Sequence, residues 1–133
     1  MPAKMSEGVK KLFRDANFAH LATIMPDGSP QVTPVWVDLD GDRIRVNTAE
    51  GRVKPRNVRR DPRVAISVTP PSGYPSAVVR GRVVDITHAG ADAHIDALAK
   101  KYLGQDTYPF RQPSEQRVIL VIEPHSVGSL MTD

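Results

Sequence analysis

The chain has 133 residues, a formal net charge of +3 and no cysteine. Its length suits one domain that buries about two-thirds of the surface exposed by the unfolded chain, while the missing cysteine excludes disulfides, thiolate nucleophiles and Cys-based metal sites and fits a reducing cytoplasm. No N-terminal segment resembles a signal peptide and no apolar run approaches the roughly 20 residues needed to cross a bilayer, so a cytoplasmic protein with no membrane partner is expected.

From Ser6, the apolar residues Val9, Leu12, Phe13 and Ala16 recur at helical spacing. With Ser6 available as N-cap, they predict a short amphipathic helix ending near Asn17. Phe18 to Met25 and Gln31 to Asp40 read as strands, each leading into an Asp-Gly turn. Arg43 to Thr48 alternates, with Ile44, Val46 and Thr48 on one face and Arg43, Arg45 and Asn47 on the other. These three segments suggest a meander. Val64, Ile66 and Val68 then point inward from a fourth strand, and Ala77 to Thr87 forms a fifth that bends at Gly81, the loop PPSGYPS lying between them. Ile95, Leu98, Ala99, Tyr102 and Leu103 mark a second helix closed by Gly104. The connection GQDTYPFRQPSEQ leads to RVILVIEP, an apolar run suited to burial on both faces. The expected fold is mainly β: a six-stranded antiparallel barrel with a few short flanking helices, occupying residues 1–133 as one domain. A sandwich is the competing architecture.

The stretch GRVKPRNVRRDPRV, residues 51 to 64, holds six cationic side chains and one acid. Pro55 suits the start of a helix and Pro62 disfavours helical geometry at Asp61, which predicts a very short helix from about Pro55 to Arg60. Arg52, Lys54 and Asn57 can gather at its N-terminus, where free backbone N–H groups favour an anion such as a single phosphate. Lysine supplies a compact charge and arginine a planar fork of donors. The alternative is a solvated charged face, which is the preferred reading for Arg59 and Arg60. No nucleic-acid partner is expected, because no recognition motif or interleaved aromatic residues accompany the charge.

The segments HLATIMPDGSPQVTPVWVDLDGDRIRVNT and AEGRVKPRNVRRDPRVAISV closely resemble the pyridoxamine 5'-phosphate oxidase-like split-barrel superfamily, in particular its branch that uses the deazaflavin coenzyme F420. The likeness covers about residues 6 to 131, and its most specific part is the R-x-K-x-x-N-x-x-x-D-P-R-V pattern beginning at Arg52. It implies a split-barrel homodimer with the cofactor in a groove at the subunit interface. Arg52 and Lys54 are thereby assigned to the cofactor phosphate, with Asn57 close by. Gln31, Thr33, Pro34, Val35 and Trp36 are placed beside the deazaflavin ring, Thr48, Ala49 and Glu50 near its linker, and Tyr74 in a loop brought across from the other subunit. The implied activity is hydride transfer between reduced F420 and a small unsaturated or conjugated acceptor. FMN is the alternative cofactor, and a carrier that binds F420 without catalysis is the non-enzymatic alternative.

Other chemistry finds little support. His20, His88, His94 and His125 lack metal-ligand spacing, so no metal is expected. Ser76, Ser114 and Ser126 lie outside any G-x-S-x-G elbow, and no Walker or dinucleotide fingerprint occurs. On its own, Trp36 reads as a core or interface aromatic more often than as a cofactor wall, and only the resemblance lifts it. No side chain is singled out as a catalytic acid or base.

Overall fold

The computed structural model describes residues 2–133. Three helices, α1 (Glu7–Arg14), α2 (Val53–Arg60) and α3 (Ala91–Leu103), accompany seven strands: β1 (Ala19–Ile24), β2 (Pro30–Val35), β3 (Val37–Asp40), β4 (Arg43–Ala49), β5 (Arg63–Val68), β6 (Ser76–Thr87) and β7 (Arg117–Leu130). The strands form one antiparallel sheet in the order β2-β1-β5-β6-β7-β4-β3.

The position of Trp36 dictates the shape of that sheet. β2 and β3 are its opposite edges, yet Trp36 alone separates them in the chain. Two residue steps reach at most ~7 Å, so the edges must meet there and the sheet must curl into a split barrel. The segment read as one strand from Gln31 to Asp40 is therefore two, which raises the count from six to seven. Nor does the meander form, since the β1–β2 and β3–β4 hairpins lie at opposite ends of the sheet. Pro30 and Pro34 offer no N–H to a ladder, which suits β2 to a terminal position and not to a place between two neighbours.

Helix α1 plugs the barrel, with Val9, Leu12 and Phe13 buried against β3 and β6. Ser6 caps it by accepting from the Val9 N–H at 3.2 Å. It ends at Arg14, sooner than the apolar spacing suggests, and the Asn17 amide donates to the Leu12 carbonyl at 3.0 Å. Leu21, Ile44, Val46, Ile66, Val79, Leu120 and Ile122 complete the core. In β7, Val118, Ile119 and Leu120 are buried in succession because α3 covers the face that the barrel interior does not. Gly81 marks a bulge: it pairs with Pro124 while Arg80 pairs with Ser126, and a Cβ at Gly81 would lie 2.1 Å from the Glu123 carbonyl oxygen. Among the described residues no helix is long and apolar enough to cross a membrane.

Candidate functional site

A groove of about 390 Å³ opens where the barrel is split, between β2, the end of β4, α2 and the connection from α3 to β7. Alternation along β2 turns Gln31, Thr33 and Val35 to one face, and these three, Pro34 and Trp36 form one wall. Thr48 from β4 and Arg52, Val53 and Lys54 from the turn into α2 form the polar end.

Helix α2 begins two residues earlier than Pro55. Val53 is its first residue, Arg52 its N-cap and Pro55 its third position, where an N–H has no intrahelical acceptor to lose. Gly51, at φ 85°, makes the left-handed turn that joins β4 to this helix. Lys54 is only 7 % exposed, and its ammonium donates to Gln31 Oε1 at 3.0 Å. No carboxylate neutralises Lys54 among the described residues. Burial pulls its pKa below the usual lysine value. Arg52 stays exposed, with one terminal nitrogen 3.4 Å from Glu115.

Other residues assigned by resemblance do not line this groove within one chain. Asn57 turns the opposite way, donating to Thr23 Oγ1 at 2.9 Å and to Met25 Sδ at 3.3 Å, so it ties α2 to β1 and to the turn that follows. Ala49 is buried. Glu50 is engaged by the two terminal nitrogens of Arg59 at 2.6 and 2.7 Å and by His88. The Arg59 and His88 hydrogen bonds hold its carboxyl at about 2. Tyr74 is 56 % exposed in the β5–β6 loop. Arg59 and Arg60 are more than a solvated face, since Arg60 donates to the Ile24 carbonyl and to Asn57 Oδ1 at 2.6 and 2.7 Å.

Trp36 belongs to an aromatic row. Its ring stacks on Tyr102 with centroids 5.3 Å apart, Tyr108 meets its edge at 5.9 Å, and Phe110 packs on Tyr108 at 5.6 Å. Tyr102 fixes the β2–β3 break by donating to the Asn17 carbonyl at 2.7 Å and accepting the Val37 N–H at 3.1 Å, and burial pushes its pKa up to about 12. Lys101 beside it donates to the Phe13 and Val37 carbonyls, and desolvation lowers it to about 8.

Sequence reasoning missed Phe18, Asn47, Val53, Ile95, Tyr108, Phe110 and Arg117, all of which line the groove. Two signals were available. The pair Tyr108 and Phe110 interrupts an otherwise polar connection, and Arg117 opens a strand whose next five residues are apolar. Arg117 is 4 % exposed, donates to Asn47 Oδ1 and Glu115 Oε1 at 2.9 Å each, and lies 5.1 Å from the Tyr108 ring centre. Asn47 in turn donates to the Ala91 carbonyl and faces His94 Nδ1. Since an amide N–H needs a lone pair there, the His94 proton sits on Nε2 and points to Asp38 Oδ1 at 3.0 Å. Burial raises the Asp38 pKa, but hydrogen bonds from His94 and Arg45 outweigh it and leave the carboxyl below its ordinary value. His94 is thus a buried structural histidine, and no group of residues suited to a metal ion occurs among the described residues.

Comparison with known proteins agrees with this architecture. A solved F420 reductase is 35 % identical, with a TM-score of 0.81 over 93 % of this chain and 98 % of its own. A conserved hypothetical protein from Mycobacterium tuberculosis is 24 % identical, with a TM-score of 0.75 over 96 % of this chain and 85 % of its own. General stress protein 26 from Bacillus anthracis shares the fold at 15 % identity and a TM-score of 0.72, over 96 % of this chain and 94 % of its own. The family model for pyridoxamine 5'-phosphate oxidase matches residues 5–131, and a match over nearly the whole length places the chain in that family.

Proposed function

We propose that the protein is an oxidoreductase that binds coenzyme F420 in the split-barrel groove and acts, as a homodimer, on a small unsaturated or conjugated acceptor. The observation that carries this reading is Lys54. A mostly buried ammonium whose one protein partner among the described residues is a neutral amide has a strong demand for an anion, and it lies at the polar end of a groove whose other end is aromatic. A phosphorylated tricyclic coenzyme answers both ends. The 35 % identity to an F420 reductase supports the deazaflavin over other coenzymes of that kind.

In this reading Lys54 and Arg52 hold the phosphate, and residues 33–36 of β2 back the ring. Thr48 flanks the linker, and a second copy brings its Tyr74 loop to the open side. The reduced coenzyme supplies the hydride, while the chain's residues anchor, orient and shield it from water. FMN is the second reading, because the phosphate corner suits either coenzyme and the family model is that of an oxidase named for a phosphorylated substrate.

Titration of the purified protein with F420 and with FMN, followed by fluorescence, tests the assignment. Tighter binding of F420 is expected, and preferential FMN binding would overturn it. Oxidation of reduced F420 across a panel of enones, quinones and nitroaromatics is expected with at least one member. Binding without any turnover would instead make the protein a carrier. Sedimentation in the same buffer is expected to give twice the chain mass.

A further inference from the structure

We infer that Arg117 is a third ligand-contacting cation of the groove, beside Lys54 and Arg52, one that recognises the heterocyclic headgroup. This rests on the coenzyme reading above.

The placement of the side chain carries the inference. Arg117 is buried, yet it lines the groove beside Asn47 and Tyr108. Its Nε is taken by Asn47 Oδ1 and one terminal nitrogen by Glu115 Oε1. The other terminal nitrogen has no protein acceptor among the described residues, and no buried side-chain nitrogen is left unpartnered, so that nitrogen opens onto the groove. A guanidinium used only to neutralise Glu115 would not need to be fixed from both sides. Here one edge is held by Glu115, which also faces Arg52, and the other by Asn47. Asn47 is held by Ala91 and His94, and His94 by Asp38, which Arg45 grips with two hydrogen bonds at 2.8 and 3.0 Å. A chain of oriented groups from the surface to the groove therefore sets the plane of the guanidinium before any ligand arrives.

Glu115 links Arg117 to Arg52, so the Arg117 guanidinium sits between the phosphate corner and the aromatic end. It lies against Tyr108, which meets the edge of Trp36. Lys54 by contrast contacts Gln31, at the opposite end of the β2 wall from Trp36. A planar donor against Tyr108 suits the carbonyl edge of a pyrimidinedione, the acceptor-rich ring common to flavins and deazaflavins.

The test pairs two variants with two ligands. F420 and its own deazaflavin–ribityl core, freed of the phosphate and of everything beyond it, are titrated by fluorescence into the wild type, Arg117→Gln and Lys54→Met. Arg117→Gln is expected to weaken both ligands by a similar factor, between about 10- and 100-fold, as loss of one charge-assisted hydrogen bond implies. Lys54→Met is expected to weaken F420 alone and leave the core within about threefold. Should Arg117→Gln bind the core as the wild type does, the inference fails, whether or not F420 binding falls. If the wild type binds neither ligand, or Lys54→Met weakens the core as much as F420, the coenzyme reading itself fails. Arg117→Lys keeps a cation beside Glu115 and carries the same test should the glutamine variant not fold. It is expected to lose affinity for both ligands, by less than the glutamine variant, and an unchanged core affinity there overturns the inference equally.

Discussion

Replacing Lys54 with methionine keeps the unbranched stem and removes the charge. In the free protein the ammonium is mostly buried, donates one hydrogen bond to Gln31 at 3.0 Å and is depressed in pKa by desolvation. Gln31 Oε1 keeps Thr23 Oγ1 at 3.4 Å when the lysine is gone. The substitution should therefore leave the apo protein as stable as the wild type or more so, because a desolvated charge disappears. Against a phosphate, one charge-assisted contact is worth about 2 to 3 kcal/mol, or a 30- to 150-fold rise in Kd. The pH dependence follows from the direction of the shift. Between the folded and unfolded pKa values the unfolded chain binds more protons, so wild-type stability rises with pH across that window, up to about 10.5, and the methionine variant removes that rise. Isothermal titration with F420 measures the first effect and urea melts across the alkaline range measure the second. Arg56→Ala is the control, since Arg56 is exposed on α2, whereas Arg60 is occupied in bonding Ile24 and Asn57. A Kd within about threefold of wild type, or an equal loss in Arg56→Ala, would refute the anion corner.

Three further outcomes are expected. Tyr102→Phe deprives the Asn17 carbonyl and the Val37 N–H of their partner and should cost about 1 to 3 kcal/mol, read as a drop of several degrees in the calorimetric midpoint; an unchanged midpoint would show that water replaces the hydroxyl. Gly81→Ala sets a methyl group 2.1 Å from a backbone oxygen and should lower stability by about 2 kcal/mol or more, or abolish soluble expression, with wild-type melting as the contrary result. The acid limb of stability should carry a contribution from Glu50. Its carboxyl is depressed from 4.5 to about 2, so the stabilisation is complete above 4.5 and is lost as pH falls towards 2. Glu50→Gln should flatten that part of the curve, and an unaltered curve would mean that Arg59 and His88 do not hold Glu50 in solution.

The amino-acid sequence by itself determined what rests on near neighbours. The cap at Ser6, the alternation of Ile44, Val46 and Thr48 and the bend at Gly81 were legible because each depends on a few adjacent residues. So was the cationic turn before α2, where charge and proline lie side by side. Tertiary structure decided the rest. The break at Trp36 follows from the meeting of two sheet edges, and no local pattern in QVTPVWVDLD announces it. Asn57 sits in the basic stretch, but its amide is claimed by Thr23 from a strand 34 residues away. Arg117 reaches the groove through partners drawn from β4 and from the connection preceding β7. The periods of helix and strand specify which face a residue occupies, not which distant element meets that face. The groove is assembled by such long-range meetings, and for that reason the places of Arg117 and the aromatic row in it emerge from the folded chain alone.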